Sequence, residues 1–111
     1  DHDFLFSKTS HLPHVISYSL TESLFKNLYD ETFDFSGGSL EDYTRIASSD
    51  PLMWKDIMIS NHQNILDSIE DFEESLANLK GLIKRKDEKA LVDYFNRVKI
   101  LRDNSVKSDE F

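Results

Sequence analysis

Apolar residues recur along this chain at the three- and four-residue spacing of α-helices, and Gly and Pro are rare. Residues 2–29 are predicted to form one helix, or two in line, with a continuous apolar side. Pro13 lies inside this span and lacks a backbone donor. It therefore predicts a kink or a new helix start, with Ser10 or His11 near the junction.

A loop and a short helix are predicted next. The loop covers residues 32–38, and its Gly37-Gly38 pair can adopt positive φ angles or allow another backbone to approach closely. Residues 40–47 then have helical spacing, and Ser39 is the expected N-cap.

The second half of the chain begins with a strong helix start, Ser49-Asp50-Pro51. Asp50 can cap free N–H groups, and Pro51 loses nothing at the first helical position. No further Gly or Pro occurs before Gly81, so a single helix of roughly 30 residues or more, about 45–50 Å long, is predicted. Asp87 is the next N-cap, for a last helix over residues 88–102.

The long helix carries an apolar seam that includes a heptad-like run spaced 4, 3, 4, 3, 4. An intramolecular antiparallel bundle could bury this seam, and so could a homodimer with crossed or exchanged helices, which the length of the helix favours. We predict an all-α bundle of about four to five helices with one long central helix, dimerising through intertwined helices. The seam residues are Met58, Ile65, Ile69, Phe72, Leu76, Leu79 and Ile83.

The composition excludes several classes of protein. The chain has 111 residues, enough for one domain, and its net charge of −8 argues against broad binding to nucleic acids or anionic membranes. It has no Cys and no apolar run near the ~20 residues of a membrane span. We expect a cytoplasmic domain over residues 1–102 and a polar tail or linker at 103–111. The start inside a helix, without Met, indicates a piece of a longer protein.

Three of the 4 histidines lie within the first 14 residues, around the expected helix irregularity. Ser10 and His14 are one helical turn apart, and so are His11 and His14, so a hydroxyl and two imidazoles can share a face. His2 can join them, depending on the distortion at Pro13. Ordinary structural roles, capping carbonyls or packing in the core, are the alternative for these rings.

A metal site is another interpretation of the same residues, with His11 and His14 beside Asp3 or Asp42. No HExxH or comparable signature supports it. The His2-Asp3 pair also resembles the metal phosphohydrolases named for an HD pair, but their other ligand motifs are missing. We expect no metal.

The short helix contains a second unusual group, Arg45, which is followed by apolar residues. Asp42 lies three residues earlier and can pair with the guanidinium, so a structural ion pair is one interpretation. Arginine is also the residue best shaped to bind a carboxylate through two parallel hydrogen bonds. Cationic and donor groups clustered in an acidic chain indicate a small anionic ligand held by specific contacts.

Three stretches together resemble the prephenate and arogenate dehydrogenase family. The first is His2-Asp3 followed by Ser10-His11-Leu12-Pro13-His14, and the second is Gly37-Gly38 followed by Asp42-Tyr43-Thr44-Arg45-Ile46-Ala47. The third is Ser49-Asp50-Pro51-Leu52-Met53-Trp54-Lys55-Asp56-Ile57 with Asn61. They occur in the family's order and at very similar spacing, so the resemblance covers residues 2–61.

The resemblance implies an enzyme in which an N-terminal Rossmann domain binds NAD and a helical C-terminal domain dimerises and closes the substrate pocket. Prephenate would be oxidised at its ring alcohol and lose its ring carboxylate, giving 4-hydroxyphenylpyruvate for tyrosine biosynthesis. This chain has no GxGxxG motif and no βαβ pattern, so we expect it neither to bind NAD nor to contain the catalytic His, and to be inactive alone. An arogenate dehydrogenase domain and a non-catalytic helical dimerisation module are the alternatives.

The resemblance also implies roles for single residues. Arg45 would bind a substrate carboxylate, and Ser10 and His14 would approach the substrate side chain or a tyrosine-like product. Trp54 would reach the partner subunit's site. The expected supporting residues are His2, His11, Gly38 and Asp42.

Overall fold

The computed structural model describes residues 1–27 and 38–108, which contain helices and no strand. The predicted all-α class is confirmed. The predicted loop before Gly38, and the predicted end of the first helix, lie outside the described residues. The elements are α1 (His2–Phe6), a π-helical turn (Ser7–His11), α2 (Leu12–Asn27), α3 (Ser39–Thr44), a 3-10 turn (Arg45–Ser48), α4 (Pro51–Ser60), α5 (His62–Arg85) and α6 (Glu88–Ser108).

The first helical segment is continuous, and the irregularity predicted near Ser10 or His11 takes the form of the π-helical turn. The backbone N–H of Leu12 donates to the carbonyl of Ser7, five residues earlier, and φ and ψ stay helical at both residues. Pro13 follows immediately and has no N–H to donate. The wide turn therefore lets the helix pass the proline without ending.

The start of α3 differs from the prediction. Gly38, not Ser39, occupies the N-cap position, with φ of 74°. Glycine adopts this left-handed backbone without the steric cost of a Cβ atom. Its carbonyl accepts from the N–H of Asp42 at 3.1 Å. The α-helix ends at Thr44, and the chain continues as the 3-10 turn.

The start of α4 is confirmed, but the single long helix predicted from Pro51 is wrong. The Asp50 carboxylate accepts from the N–H of Leu52 at 3.1 Å, and Pro51 is in the first turn. The helix is interrupted at Asn61, which has φ of −116° and ψ of 27°. The N–H of Ile65 still donates to the Asn61 carbonyl, so the interruption is confined to one residue.

Two compact units divide the chain, Asp1–Asp71 and Phe72–Phe111, and each is described by itself. In the first unit, Trp54 and Ile65 are the buried hydrophobic residues among those described, with 6% and 3% exposed. Ser7 and Ser68 are also buried, and their hydroxyl oxygens lie 3.1 Å apart. Small side chains allow helices to approach closely here, and the two hydroxyls hydrogen-bond to each other, so neither buried polar atom lacks a partner.

Lys8 extends this polar contact to the surface of the first unit. Its ammonium donates to the Ser68 hydroxyl and to the Asp71 carboxylate, both at 3.2 Å. Because the carboxylate is largely exposed, the ion pair itself contributes little stability.

The second unit contains the end of α5 and all of α6. Asp87 caps α6 as predicted, with its carboxylate accepting from the N–H of Ala90 at 3.1 Å. The helix continues to Ser108, so the predicted end at Arg102 is wrong, and 109–111 lie outside the described residues. Large apolar side chains of this unit are exposed: Leu76 53%, Ile83 57%, Phe95 55%, Ile100 59% and Leu101 62%. Among the described helices, none is both long enough and apolar enough to cross a membrane.

Candidate functional site

Four rings of the N-terminal segment and one of α4 form a cluster, which we call the ring cluster: His2, Phe6, His11, His14 and Trp54. The ring centres of His2 and Phe6 lie 4.3 Å apart, and those of Phe6 and His11 6.3 Å apart. Trp54 is 5.9 Å from His11, edge to face, and 3.7 Å from His14. The structure therefore brings together the three histidines that the sequence placed in one group.

Trp54 is the centre of the ring cluster. Its indole is buried and stacks on His14 of the same chain at an interplanar angle of 20°. The cause is local, because the Asp50-Pro51 start places Trp54 one turn into α4. Stacked aromatic rings stabilise each other beyond the apolar area that they bury. That Trp54 also reaches the partner subunit's site stays a prediction.

His14 is held from two sides. One ring face lies on Trp54, and Nδ1 is 2.8 Å from the backbone carbonyl oxygen of Ser10. A carbonyl only accepts, so Nδ1 carries the proton, and the neutral ring presents Nε2 as an acceptor. The Ser10 hydroxyl has no hydrogen-bond partner among the residues that the structure describes. His14 Nε2 and this hydroxyl are thus available polar groups on neighbouring turns.

His11 has a different environment. Its Nδ1 lies 3.2 Å from the side-chain nitrogen of Asn61, which also donates to the carbonyl of Asp3 at 2.8 Å. Burial lowers the pKa of His11 below its ordinary value, the nearby His14 lowers it further, and Asp3 acts in the opposite direction. Sequence reasoning gave Asn61 no role, although its place at the end of the third matching stretch was a signal.

Arg45 lies in a separate groove of about 490 Å³ between α2 and the α3 segment. The predicted ion pair with Asp42 is wrong, since no described residue forms an ion pair with Arg45. The reason is that both side chains are exposed, and an ion pair between exposed groups contributes too little free energy to hold two mobile side chains together. The groove is lined by Thr21, Phe25, Glu41, Thr44, Arg45, Ala47 and Ser48.

The groove and the ring cluster face the same side of α2. Thr21 lines the groove and His14 belongs to the cluster, and residues seven apart lie two helical turns apart on one side, about 10 Å along the axis. The ring cluster and the groove that contains the exposed guanidinium of Arg45 thus lie along one side of α2. Gly38 and Asp42 are joined to each other by a backbone hydrogen bond at the start of α3.

The metal interpretation finds no support in the geometry. Within residues 1–27 and 38–108, no group of three or more His, Asp or Glu side chains is arranged to hold a metal ion. The described contacts of His11 and His14 are instead with the ring of Trp54, the Asn61 amide and the Ser10 carbonyl.

Comparison with known proteins places these residues in a family context. Residues 1–97 match the family model described as prephenate dehydrogenase, dimerization domain. The match includes both the ring cluster and the Arg45 groove.

Three relatives agree with this match. The chain is 35% identical over 105 residues to prephenate dehydrogenase of Bacillus subtilis, covering 93% of this chain and 28% of that protein. It is 36% identical over 97 residues to cyclohexadienyl dehydrogenase of Zymomonas mobilis, covering 85% and 33%. A crystal structure of Aquifex aeolicus prephenate dehydrogenase with hydroxyphenyl propionate and NAD+ superimposes with a TM-score of 0.83 at 46% identity, over 91% of this chain and 36% of that one. The chain thus spans about a third of the length of its relatives.

Proposed function

This chain belongs to the prephenate dehydrogenase dimerization-domain family, and we propose that it is the dimer-forming and substrate-contacting part of an NAD-dependent dehydrogenase. The enzyme would oxidatively decarboxylate prephenate to 4-hydroxyphenylpyruvate in the cytoplasm, for tyrosine biosynthesis. The observation that carries the proposal is the shared side of α2, where the ring cluster and the Arg45 groove lie two turns apart.

The chemistry of prephenate fits this surface. Prephenate is a dianion with two carboxylates and a ring alcohol, and the exposed guanidinium of Arg45 is suited to a carboxylate. Within residues 1–27 and 38–108 no acidic side chain is paired to this guanidinium, which supports a contact to a ligand instead. The acidic chain as a whole repels anions, so this specific contact must provide the attraction.

His14 and Ser10 would meet the other end of the substrate. The fixed orientation of His14 leaves Nε2 as an acceptor for a hydroxyl, and the Ser10 hydroxyl can donate or accept. A ring held by stacking and by a backbone carbonyl needs little reordering when the substrate binds. His2, His11 and Trp54 support this end, whereas Gly38 and Asp42 shape the segment that carries Arg45.

NAD would be held elsewhere. The described residues contain no strand from which a βαβ unit could be built, and the sequence contains no GxGxxG motif, so these residues do not fit the cofactor. We therefore assign NAD binding and the catalytic His to an N-terminal Rossmann domain, and we expect this chain alone to be inactive.

The exposed apolar side chains of the second unit support a homodimer. A monomer would leave Leu76, Ile83 and Phe95 more than half exposed, which is unfavourable for such a large apolar surface. A second copy of the same chain is the occupant that the family description supports.

The test uses the full-length protein that carries this chain. We expect prephenate-dependent NADH formation in the wild type and a fall in kcat/KM of about 100-fold or more in Arg45→Ala, because a charge-assisted contact is lost. Arg85→Ala is the matched control, since it removes an exposed guanidinium outside the groove. Unchanged kinetics in folded Arg45→Ala would remove Arg45 from the substrate site.

His14→Ala is expected to lower kcat/KM as well. Its matched control is His62→Ala, because the Nδ1 of exposed His62 also lies near a backbone carbonyl, that of Ile59, but outside the ring cluster. Arogenate is the second substrate to assay, since one relative is named a cyclohexadienyl dehydrogenase. A wild type inactive with both substrates would leave a non-catalytic dimerisation module as the function.

A further inference from the structure

Asn61 connects three helical elements through one buried side chain. Its side-chain nitrogen donates to the carbonyl of Asp3 in α1 at 2.8 Å and lies 3.2 Å from Nδ1 of His11 in the π-helical turn. Its oxygen accepts from the side-chain nitrogen of Asn64 in α5 at 2.9 Å. Only 9% of Asn61 is exposed, so water does not replace these partners easily.

The backbone fixes which way the Asn61 amide points. The Asp3 carbonyl is an acceptor in every protonation state, so it must face the NH₂ group. Turning the amide over would bring two acceptor oxygens together at 2.8 Å and leave both without a proton. The orientation of the amide is therefore set by the backbone carbonyl of Asp3, which does not titrate.

The fixed amide in turn decides where the proton of His11 lies. One N–H of the NH₂ group is used by Asp3, and the other faces Nδ1 of His11. Nδ1 must accept this bond, so the proton of the neutral ring is on Nε2. A doubly protonated His11 would place two donors against each other, and the nearby His14 also disfavours a charge there, while Asp3 favours it.

We propose that Asn61 is a positioning residue of the substrate site, whose amide holds His11 as the neutral tautomer with its proton on Nε2. The positioning role rests on the proposed function, but the tautomer does not. Histidine rings that act beside one another need defined donors and acceptors, and the partner of one nitrogen determines the state of the other. Here His11 is fixed as an Nε2 donor and His14 as an Nε2 acceptor, on adjacent rings that both contact Trp54.

The test is nitrogen NMR of the histidine rings in the full-length protein, with His11 assigned by His11→Gln. In the wild type, Nδ1 of His11 should give the signal of an unprotonated ring nitrogen. In Asn61→Asp the carboxylate can only accept, so the proton should move to Nδ1 and the titration midpoint of His11 should rise. Asn96→Asp, which adds the same charge at an exposed position of α6, should leave His11 unchanged.

A second variant keeps the test decisive if Asn61→Asp does not fold. Asn61→Ala removes the donor without adding an acceptor, so His11 should become a mixture of both tautomers. A protonated Nδ1 in the wild type, or an unchanged tautomer in both Asn61 variants, would overturn the proposal.

Kinetics then test the positioning role. We expect kcat/KM for prephenate to fall about tenfold in Asn61→Ala, the effect on the site of losing the hydrogen bond to His11, with the acid limb of its pH profile displaced. Wild-type kinetics and a wild-type pH profile in an Asn61 variant whose His11 tautomer has changed would overturn the positioning role. A wild-type enzyme inactive with prephenate would refute the proposed function while leaving the NMR result to decide the tautomer.

Discussion

The exposed seam of α5 makes a quantitative prediction about the dimer. Leu76 is part of the heptad-like run, and in the single chain 53% of it is exposed. If a second copy covers this seam, replacing Leu76 with Glu should dissociate the dimer, because each copy then brings a carboxylate into an apolar contact.

The magnitude follows from the exposed fraction. Fully burying a leucine is worth about 1.5–3 kcal/mol, so covering about half of Leu76 contributes roughly 0.8–1.6 kcal/mol per copy and roughly twice that per dimer. A buried carboxylate without a partner costs about 3 kcal/mol or more in each copy. The two effects together amount to roughly 8 kcal/mol, which weakens dimerisation by a factor of about 10⁶.

Ala77→Glu is the matched control. Ala77 is the next residue, is exposed, and lies about 100° around the helix from Leu76. The Ala77→Glu substitution adds the same charge to the same helix but away from the seam, so this variant should remain dimeric.

Sedimentation equilibrium across a range of protein concentrations measures the dissociation constant directly. Circular dichroism shows whether each variant remains helical. A helical Leu76→Glu protein that dimerises as tightly as the wild type would refute the assignment of this seam to the interface.

Two further predictions concern stability, measured by denaturant unfolding at one fixed protein concentration. Burial and the nearby His14 lower the pKa of His11 from its ordinary value of 6.5, so just below pH 6.5 the unfolded state binds more protons than the folded state. The free energy of unfolding should therefore fall as the pH is lowered from 6.5 towards the pKa of folded His11. The fall should be smaller in His11→Gln. Asp50→Ala should lower the free energy of unfolding by about 1 kcal/mol, because the N-cap of α4 is lost. Asp56→Ala, which removes only an exposed ion pair, should change it little, and equal effects of the two aspartate variants would contradict the capping explanation.

The features that sequence reasoning predicted correctly depend on neighbouring residues. Asp50 and Asp87 cap helices because a carboxylate two or three residues before a free N–H can reach it in almost any context. The grouping of His11 and His14 followed from their separation by one helical turn.

The features that it missed depend on distant residues or on exact local geometry. Asn61 interrupts the long helix while its side chain binds groups 58 and 50 residues away in the sequence, which helical periodicity cannot show. The contact between Trp54 and His14 likewise joins two elements. The Asp42–Arg45 pair failed for a smaller, local reason, because both side chains are exposed to water, where an ion pair gains little free energy.

The π-helical turn adds one residue to the N-terminal helical segment without ending it. Residues five apart point about 140° apart in a regular α-helix, yet the rings of Phe6 and His11 are within 6.3 Å because the turn accommodates one additional residue. Deleting one residue of the turn would restore a regular α-helix and leave α1 in register with α2, because the turn contains one residue more than an α-helix needs. The turn therefore adds a side chain between His2 and His14 without changing the faces that the flanking helices present to each other.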